Sequence, residues 1–98
     1  MDNPKRIEPA AGHRGGVWVR IADEEYRVPP LSFRSLRDMQ QDVDGLRGIG
    51  KGMPTPAQMD VLCRLVHAAL VRNYPAMELN QVIDMLDIGN YAEVFGAV

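Results

Sequence analysis

Thr55-Pro56-Ala57-Gln58-Met59-Asp60-Val61-Leu62-Cys63-Arg64-Leu65-Val66-His67-Ala68-Ala69-Leu70-Val71-Arg72-Asn73-Tyr74-Pro75 is the stretch whose reading decides the fold. Thr55 can accept from the free amides of a first helical turn, Pro56 suits the first helical position, and Gln58 completes a capping box. Met59, Leu62, Cys63, Val66, Ala69 and Leu70 then recur at helical spacing on one face, while Val61, Leu65 and Ala68 make a second apolar stripe on the far side. A helix that is apolar on both sides is sandwiched between other elements. The stretch is therefore expected to be the central helix of the domain. The residue before a proline is pushed out of the helical region, so the helix should stop near Asn73, ahead of Tyr74-Pro75.

Toward the N-terminus, Gly45 to Pro54 holds four glycines and reads as a loop. Before it, Ser32 is a candidate N-cap for a helix whose stripe is Phe33, Leu36, Met39, Val43 and Leu46. Val17, Val19 and Ile21 alternate onto one face, as do Tyr26 and Val28 before Pro29-Pro30, which predicts a β-hairpin over 17–28. Its turn lacks the Asn-Gly or Asp-Gly pair that hairpins favour. Residues 1–16 mix prolines and glycines with charges and read as a flexible tail. On the C-terminal side, Leu79, Val82, Ile83 and Leu86 mark a short helix, with Gly89 expected as its left-handed cap. Asn90 with Glu93 then signals a last helix carrying Tyr91, Val94, Phe95 and Val98 on one face. The expected fold is α+β, mostly α: an N-terminal β-hairpin and about four short helices packed round the central one. A tail over 1–16 precedes a single domain over 17–98.

The 98 residues suffice for one domain, and 46% hydrophobic with 24% charged content suits a globular chain. No apolar run approaches the ~18–20 residues that span a bilayer, and residues 1–16 lack the apolar core of a secretory signal. The single cysteine, Cys63, leaves no internal disulfide and suits a reducing cytoplasm. A net charge of −2 argues against electrostatically driven nucleic-acid binding. The charge is uneven, since Glu78, Asp84, Asp87 and Glu93 lie beyond Arg72 with no base among them.

Three constellations invite chemistry. Gly45 to Gly52 approximates a phosphate-binding loop, but a helix precedes it, Gly52 stands where a hydroxyl is needed, and Met53-Pro54 interrupts the following helix start. Asp60, Cys63 and His67 line one edge of the central helix, yet a closed zinc site wants four ligands and a cysteine nucleophile wants an oriented base in a pocket. Arg20, Arg27, Arg34 and Arg37 read as solvated surface paired with nearby acids. No catalytic, cofactor or metal site is expected, and the chain reads as a non-enzyme. The partner-binding candidates are Met85, Tyr91, Val94, Phe95 and Val98, an apolar edge at the chain's end, backed by a methionine supply suited to adaptable contacts.

The run Leu31-Ser32-Phe33-Arg34-Ser35-Leu36-Arg37-Asp38, the turn Arg72-Asn73-Tyr74-Pro75 and the segment Leu86-Asp87-Ile88-Gly89-Asn90-Tyr91-Ala92-Glu93-Val94-Phe95 resemble the small tail assembly chaperones of long-tailed bacteriophages, over about residues 17–98. The chain departs from them at Glu78, where relatives often place Thr or Ser, and at Val98, where relatives often continue. The resemblance implies a non-catalytic role: binding the long helical tape-measure protein, keeping it in solution and helping recruit tail-tube subunits, in the cytoplasm of the infected or lysogenic host and outside the mature virion. It implies no nucleic-acid or membrane partner; weak homo-oligomerisation is compatible with it. The alternative is a small structural or adaptor subunit of the phage particle.

Overall fold

The computed structural model describes residues 5–46 and 53–98. Its strands are β1 (Lys5–Ile7), β2 (Val17–Ile21) and β3 (Glu24–Val28), and its helices are α1 (Phe33–Asp38), α2 (Gln40–Asp44), α3 (Pro56–Leu70), α4 (Leu79–Met85) and α5 (Tyr91–Ala97). The glycine-rich resemblance to a phosphate-binding loop falls mainly outside the described residues. The architecture is α+β: a three-stranded sheet in the order β1-β3-β2, covered on its inner face by helices.

The expected lone hairpin is part of a mixed sheet. β2 and β3 are antiparallel, with Ile21 opposite Glu24, and β1 adds in parallel to the other side of β3. The connecting pair Ala22-Asp23 takes left-handed conformations (φ 48° and 65°) without a glycine, which matches the strand twist at some cost in backbone strain. Within residues 5–16, the described part of the segment read as a flexible tail, the chain is tied to the domain. Lys5–Ile7 forms an edge strand, and Ala10 and Arg14 donate backbone hydrogen bonds to the Asn73 carbonyl and side chain. Gly16 sits at φ 109° where a Cβ would meet the Val28 carbonyl oxygen at 2.1 Å, so this close crossing accepts only glycine.

α3 begins as its sequence predicts. Thr55 Oγ1 accepts from the Gln58 amide at 3.1 Å, and the Thr55 amide donates to Gln58 Oε1 at 2.9 Å. The helix is sandwiched. Cys63, Val66 and Leu70 pack with Val19, Ile21, Tyr26 and Val28 of the sheet, while Val61, Leu62 and Leu65 pack with Leu46 on the other side. Burying each such side chain contributes roughly 1.5–3 kcal/mol, so both stripes belong to the fold. The Ser32 cap is also present, its Oγ accepting from the Ser35 amide at 3.1 Å. The helix it opens is interrupted at Met39, however, and of its stripe Phe33 and Leu36 stay exposed while Met39, Val43 and Leu46 pack inward.

Two expected caps are absent. Gly89 is not left-handed, and α4 ends instead on extended Leu86. The Asn90 side chain does not cap α5. It turns back, accepting from the Asp87 amide through Oδ1 and donating to the Met85 carbonyl through Nδ2, so it closes the α4–α5 loop.

Past the end of α3, Asn73 is fully buried and its side chain is saturated. Oδ1 accepts from the Arg14 amide at 2.7 Å, and Nδ2 donates to the Gly15 and Arg27 carbonyls, each at 2.8 Å. Tyr74 Oη accepts from the Arg27 amide and donates to the Ile7 carbonyl, and its ring meets Tyr26 edge-on at 5.4 Å. Asn73→Ala removes the partner of one amide and two carbonyls in a part-buried turn. It is expected to cost about 2–4 kcal/mol in urea unfolding; a loss under about 0.5 kcal/mol would contradict this account of the turn.

Candidate functional site

The expected partner-binding stripe is largely spent on the fold. Val94 is fully buried in the core between the sheet and α3, and Met85 and Val98 pack half-buried against that same core. Tyr91 and Phe95 lean, half-buried, on the second core beside Leu62 and Leu65. α5 thus bridges both cores. The structure separates the five residues between two interior faces rather than presenting them together, and Val94 has no surface to offer.

An apolar groove opens beside that helix. Its floor is Leu62, Cys63 and Leu86, and its walls are Pro54, Pro56 and Met59 from the start of α3, Ile83 from α4, Ile88 from the α4–α5 loop, and Tyr91. It holds about 350 Å³, and among the described residues its lining carries two carboxylates, Asp60 and Asp87, and no base. Met59, Ile83 and Ile88 are 37%, 46% and 59% exposed, and Met53 just before the wall is 73% exposed. A shallower continuation past Ile83 reaches Leu79 and Arg64. Of the expected site residues, Tyr91 alone lines this groove.

The loop that builds one wall is rigidly tied. Asp87 Oδ1 accepts from the Gly89 and Asn90 amides, both at 2.8 Å, an Asx-type turn that holds Ile88 outward. Sequence reading placed Ile83 in the apolar stripe of the short helix and gave Ile88 no role beyond the motif run. The available signal was the odd Ile88, an apolar side chain between Asp87 and Gly89 with no place in any stripe.

The three side chains considered for metal or nucleophilic chemistry are placed apart in role. The Cys63 thiol is buried at the groove floor, where burial, then the Asp60 charge, pushes its pKa up. Such a thiol is a poor nucleophile and metal ligand. His67 Nε2–H donates to the Met77 carbonyl at 2.9 Å, which ties α3 to the segment entering α4 and commits the ring to a structural bond. No group of three or more metal-ligating side chains occurs among the described residues. The arginines are dispersed: Arg37 pairs with Asp38, Arg20 with Asp23, and Arg27 lies over the Trp18 ring while donating to the Gly16 carbonyl. The partner of Asp42 is Arg64, at 3.1 Å.

No family model, curated protein or solved structure matches this chain. No described helix is long and apolar enough to cross a membrane.

Because its folded-state pKa is raised, the Cys63 thiol contributes stability that is fully present below the unfolded value near 8.5 and lost as pH rises through the folded value. Iodoacetamide at about pH 8 is expected to alkylate Cys63 at least tenfold more slowly in the native protein than in urea, by mass spectrometry. Equal rates would contradict the burial of the thiol.

Proposed function

We propose that this protein is a non-catalytic assembly chaperone that holds an amphipathic helical segment of a long client in the groove between α3, α4 and the α4–α5 loop. The observation that carries this reading is the groove's composition: exposed Met59, Ile83 and Ile88 around an apolar floor, with Asp60 and Asp87 on the lining. An apolar helix face laid into such a groove is anchored by residues at three- and four-residue spacing. The two lining carboxylates, with exposed Asp84 nearby on α4, favour basic residues flanking that face and disfavour acidic ones. The methionine at the rim adapts to differing anchors, as a client with many related segments requires.

The motif resemblance to phage tail assembly chaperones names a client of this chemistry, the tape-measure protein. The proposal therefore places the chain in the bacterial cytoplasm during tail assembly, keeping that client soluble until tail-tube subunits enclose it. It revises the expected surface: the anchors are Met59, Ile83 and Ile88, and the α5 stripe supports them from beneath.

The test is co-expression of the tape-measure protein with wild-type chain or with an Ile83→Ser/Ile88→Ser variant. Both positions are solvent-facing, so the variant should keep its native circular dichroism. Soluble client recovered with the variant is expected to fall at least about tenfold, in line with loss of a central anchor pair. A folded variant that still keeps the client soluble would reject the groove as the binding site.

A further inference from the structure

The sheet packs one face on the helices and turns the other outward. Alternation buries Val19, Ile21, Tyr26 and Val28, so Trp18 and Arg20 of β2, Glu25 and Arg27 of β3, and Arg6 of β1 share the outer face. Pairing sets Trp18 opposite Arg27, and places Glu25 between Arg20 on one neighbouring strand and Arg6 on the other. The Arg6 and Arg20 side chains are 56% and 63% exposed. Arg6 belongs to a segment whose composition reads as a tail, so only the folded sheet brings this cluster together.

Trp18 gathers two guanidinium groups. Arg6 Cζ lies 4.7 Å from the ring centroid and Arg27 Cζ 6.0 Å, both within cation–π range. Each Nε is already committed: Arg6 donates to Glu25 Oε1 at 3.1 Å, and Arg27 donates to the Gly16 carbonyl at 3.2 Å. Among the described residues, the terminal nitrogens of both make no further hydrogen bond. Ring contact and one fixed donor hold each fork in place, so less side-chain freedom is lost when the remaining donors find a partner. The face sets three arginines against Glu25, in a chain whose net charge is −2. The base-rich surface is therefore local and stands apart from the acid-lined groove.

We propose that the outer sheet face docks an acidic, extended segment of a partner protein, whose carboxylates are taken by the forks of Arg6 and Arg27. A carboxylate matches the planar donors of a guanidinium group, and such pairs are among the stronger hydrogen bonds. Alternate residues of an extended strand place their side chains on one side roughly 7 Å apart, a spacing that suits two guanidinium groups gathered on one ring. The same observations disfavour a nucleic acid. A net negative chain repels a polyanion, and Arg6 already covers the ring on which a base would stack. This surface does not depend on the groove's being a helix site. It prefers the opposite charge, so an acidic strand and a base-flanked helix can be held together.

Trp18 is the chain's single tryptophan, so intrinsic fluorescence reports on this face alone. The probe is a short peptide alternating glutamate with threonine, titrated into the full chain at about 50 mM salt, where exposed charges are weakly screened. A saturable change in Trp18 emission is expected, with NMR shifts at the Trp18 indole and at the Arg6 and Arg27 Nε–H groups. Met59 and Ile83 should not move. The glutamine counterpart of the peptide should leave both signals unchanged. A natively folded Arg6→Gln/Arg27→Gln variant should bind at least about tenfold more weakly. Arg6→Lys/Arg27→Lys keeps the charge and loses the fork, and is expected to bind at least about threefold more weakly. The groove variant Ile83→Ser/Ile88→Ser should bind the peptide as wild type does, so this claim and the client reading fail separately. Wild-type signals unmoved by the glutamate peptide, or equal binding by the glutamine variant, would overturn the inference. Equal binding by the lysine variant would reduce the site to bulk charge and overturn it too. Tighter binding of an oligothymidylate than of the peptide, or loss of the peptide in the groove variant, would assign the face or the peptide elsewhere and have the same effect.

Discussion

The buried side chain of Asn73 joins three parts of the chain that lie far apart in sequence. Its amide group accepts from Arg14 and donates to Gly15 and Arg27, while its carbonyl takes the Ala10 amide, so one residue at the exit of α3 fixes the N-terminal segment, the end of β3 and the helix in one frame. Tyr74 extends the frame by bridging the Arg27 amide and the Ile7 carbonyl through one hydroxyl. A neutral amide can satisfy several buried backbone groups without the desolvation cost of a charge, and leaving any of them unpaired would be expensive. Arg72 adds a hydrogen bond to the Pro30 carbonyl on the other side of the turn. The Arg-Asn-Tyr-Pro run that stands out in the sequence is thus the joint between helix and sheet.

With α3 fixed against the sheet on one side, its second stripe has to be covered by something else. Leu46 and the half-buried Leu31, Met39 and Val43 cover part of it, and α5 covers the rest with Tyr91 and Phe95 while sending Val94 toward the sheet. The consequence for function is direct. α5 is committed to both cores, and apolar surface is left over at the N-terminal end of α3, where α4 and the Asp87 turn rise beside it and leave the groove open.

What was legible in the sequence was local. The capping box at Thr55 and Gln58, the Ser32 cap and the two-sided burial of α3 depend on residues a few positions apart and are found as read. Leu62, however, assigned to the face of Cys63 and Val66, packs on the other side with Val61 and Leu65, and Met59 of that face stays exposed. What was hidden was relational. Lys5-Arg6-Ile7 becomes a strand only because β3 offers a free edge and Tyr74, 67 residues away, accepts responsibility for the Ile7 carbonyl by donating to it; composition alone makes the same segment read as a tail. A stripe at helical spacing reports which side of a helix is apolar and says nothing of what covers it. Phe33 and Val94 carry the same signal in sequence, yet one is 90% exposed and the other fully buried. Asn90 shows the same limit for polar residues, since an N-cap signature there serves the preceding loop.

The groove and the helix that supports it give the chain one surface suited to binding another helix, framed by acids and backed by a rigid turn. Chemical-shift mapping on the isotope-labelled full chain, titrated with a basic amphipathic helical peptide, tests this most directly. The account predicts saturable shifts centred on Met59, Ile83 and Ile88, with the outer sheet face around Trp18 unchanged. Shifts centred on that sheet face, or a spectrum unmoved by a peptide of this chemistry, would contradict it.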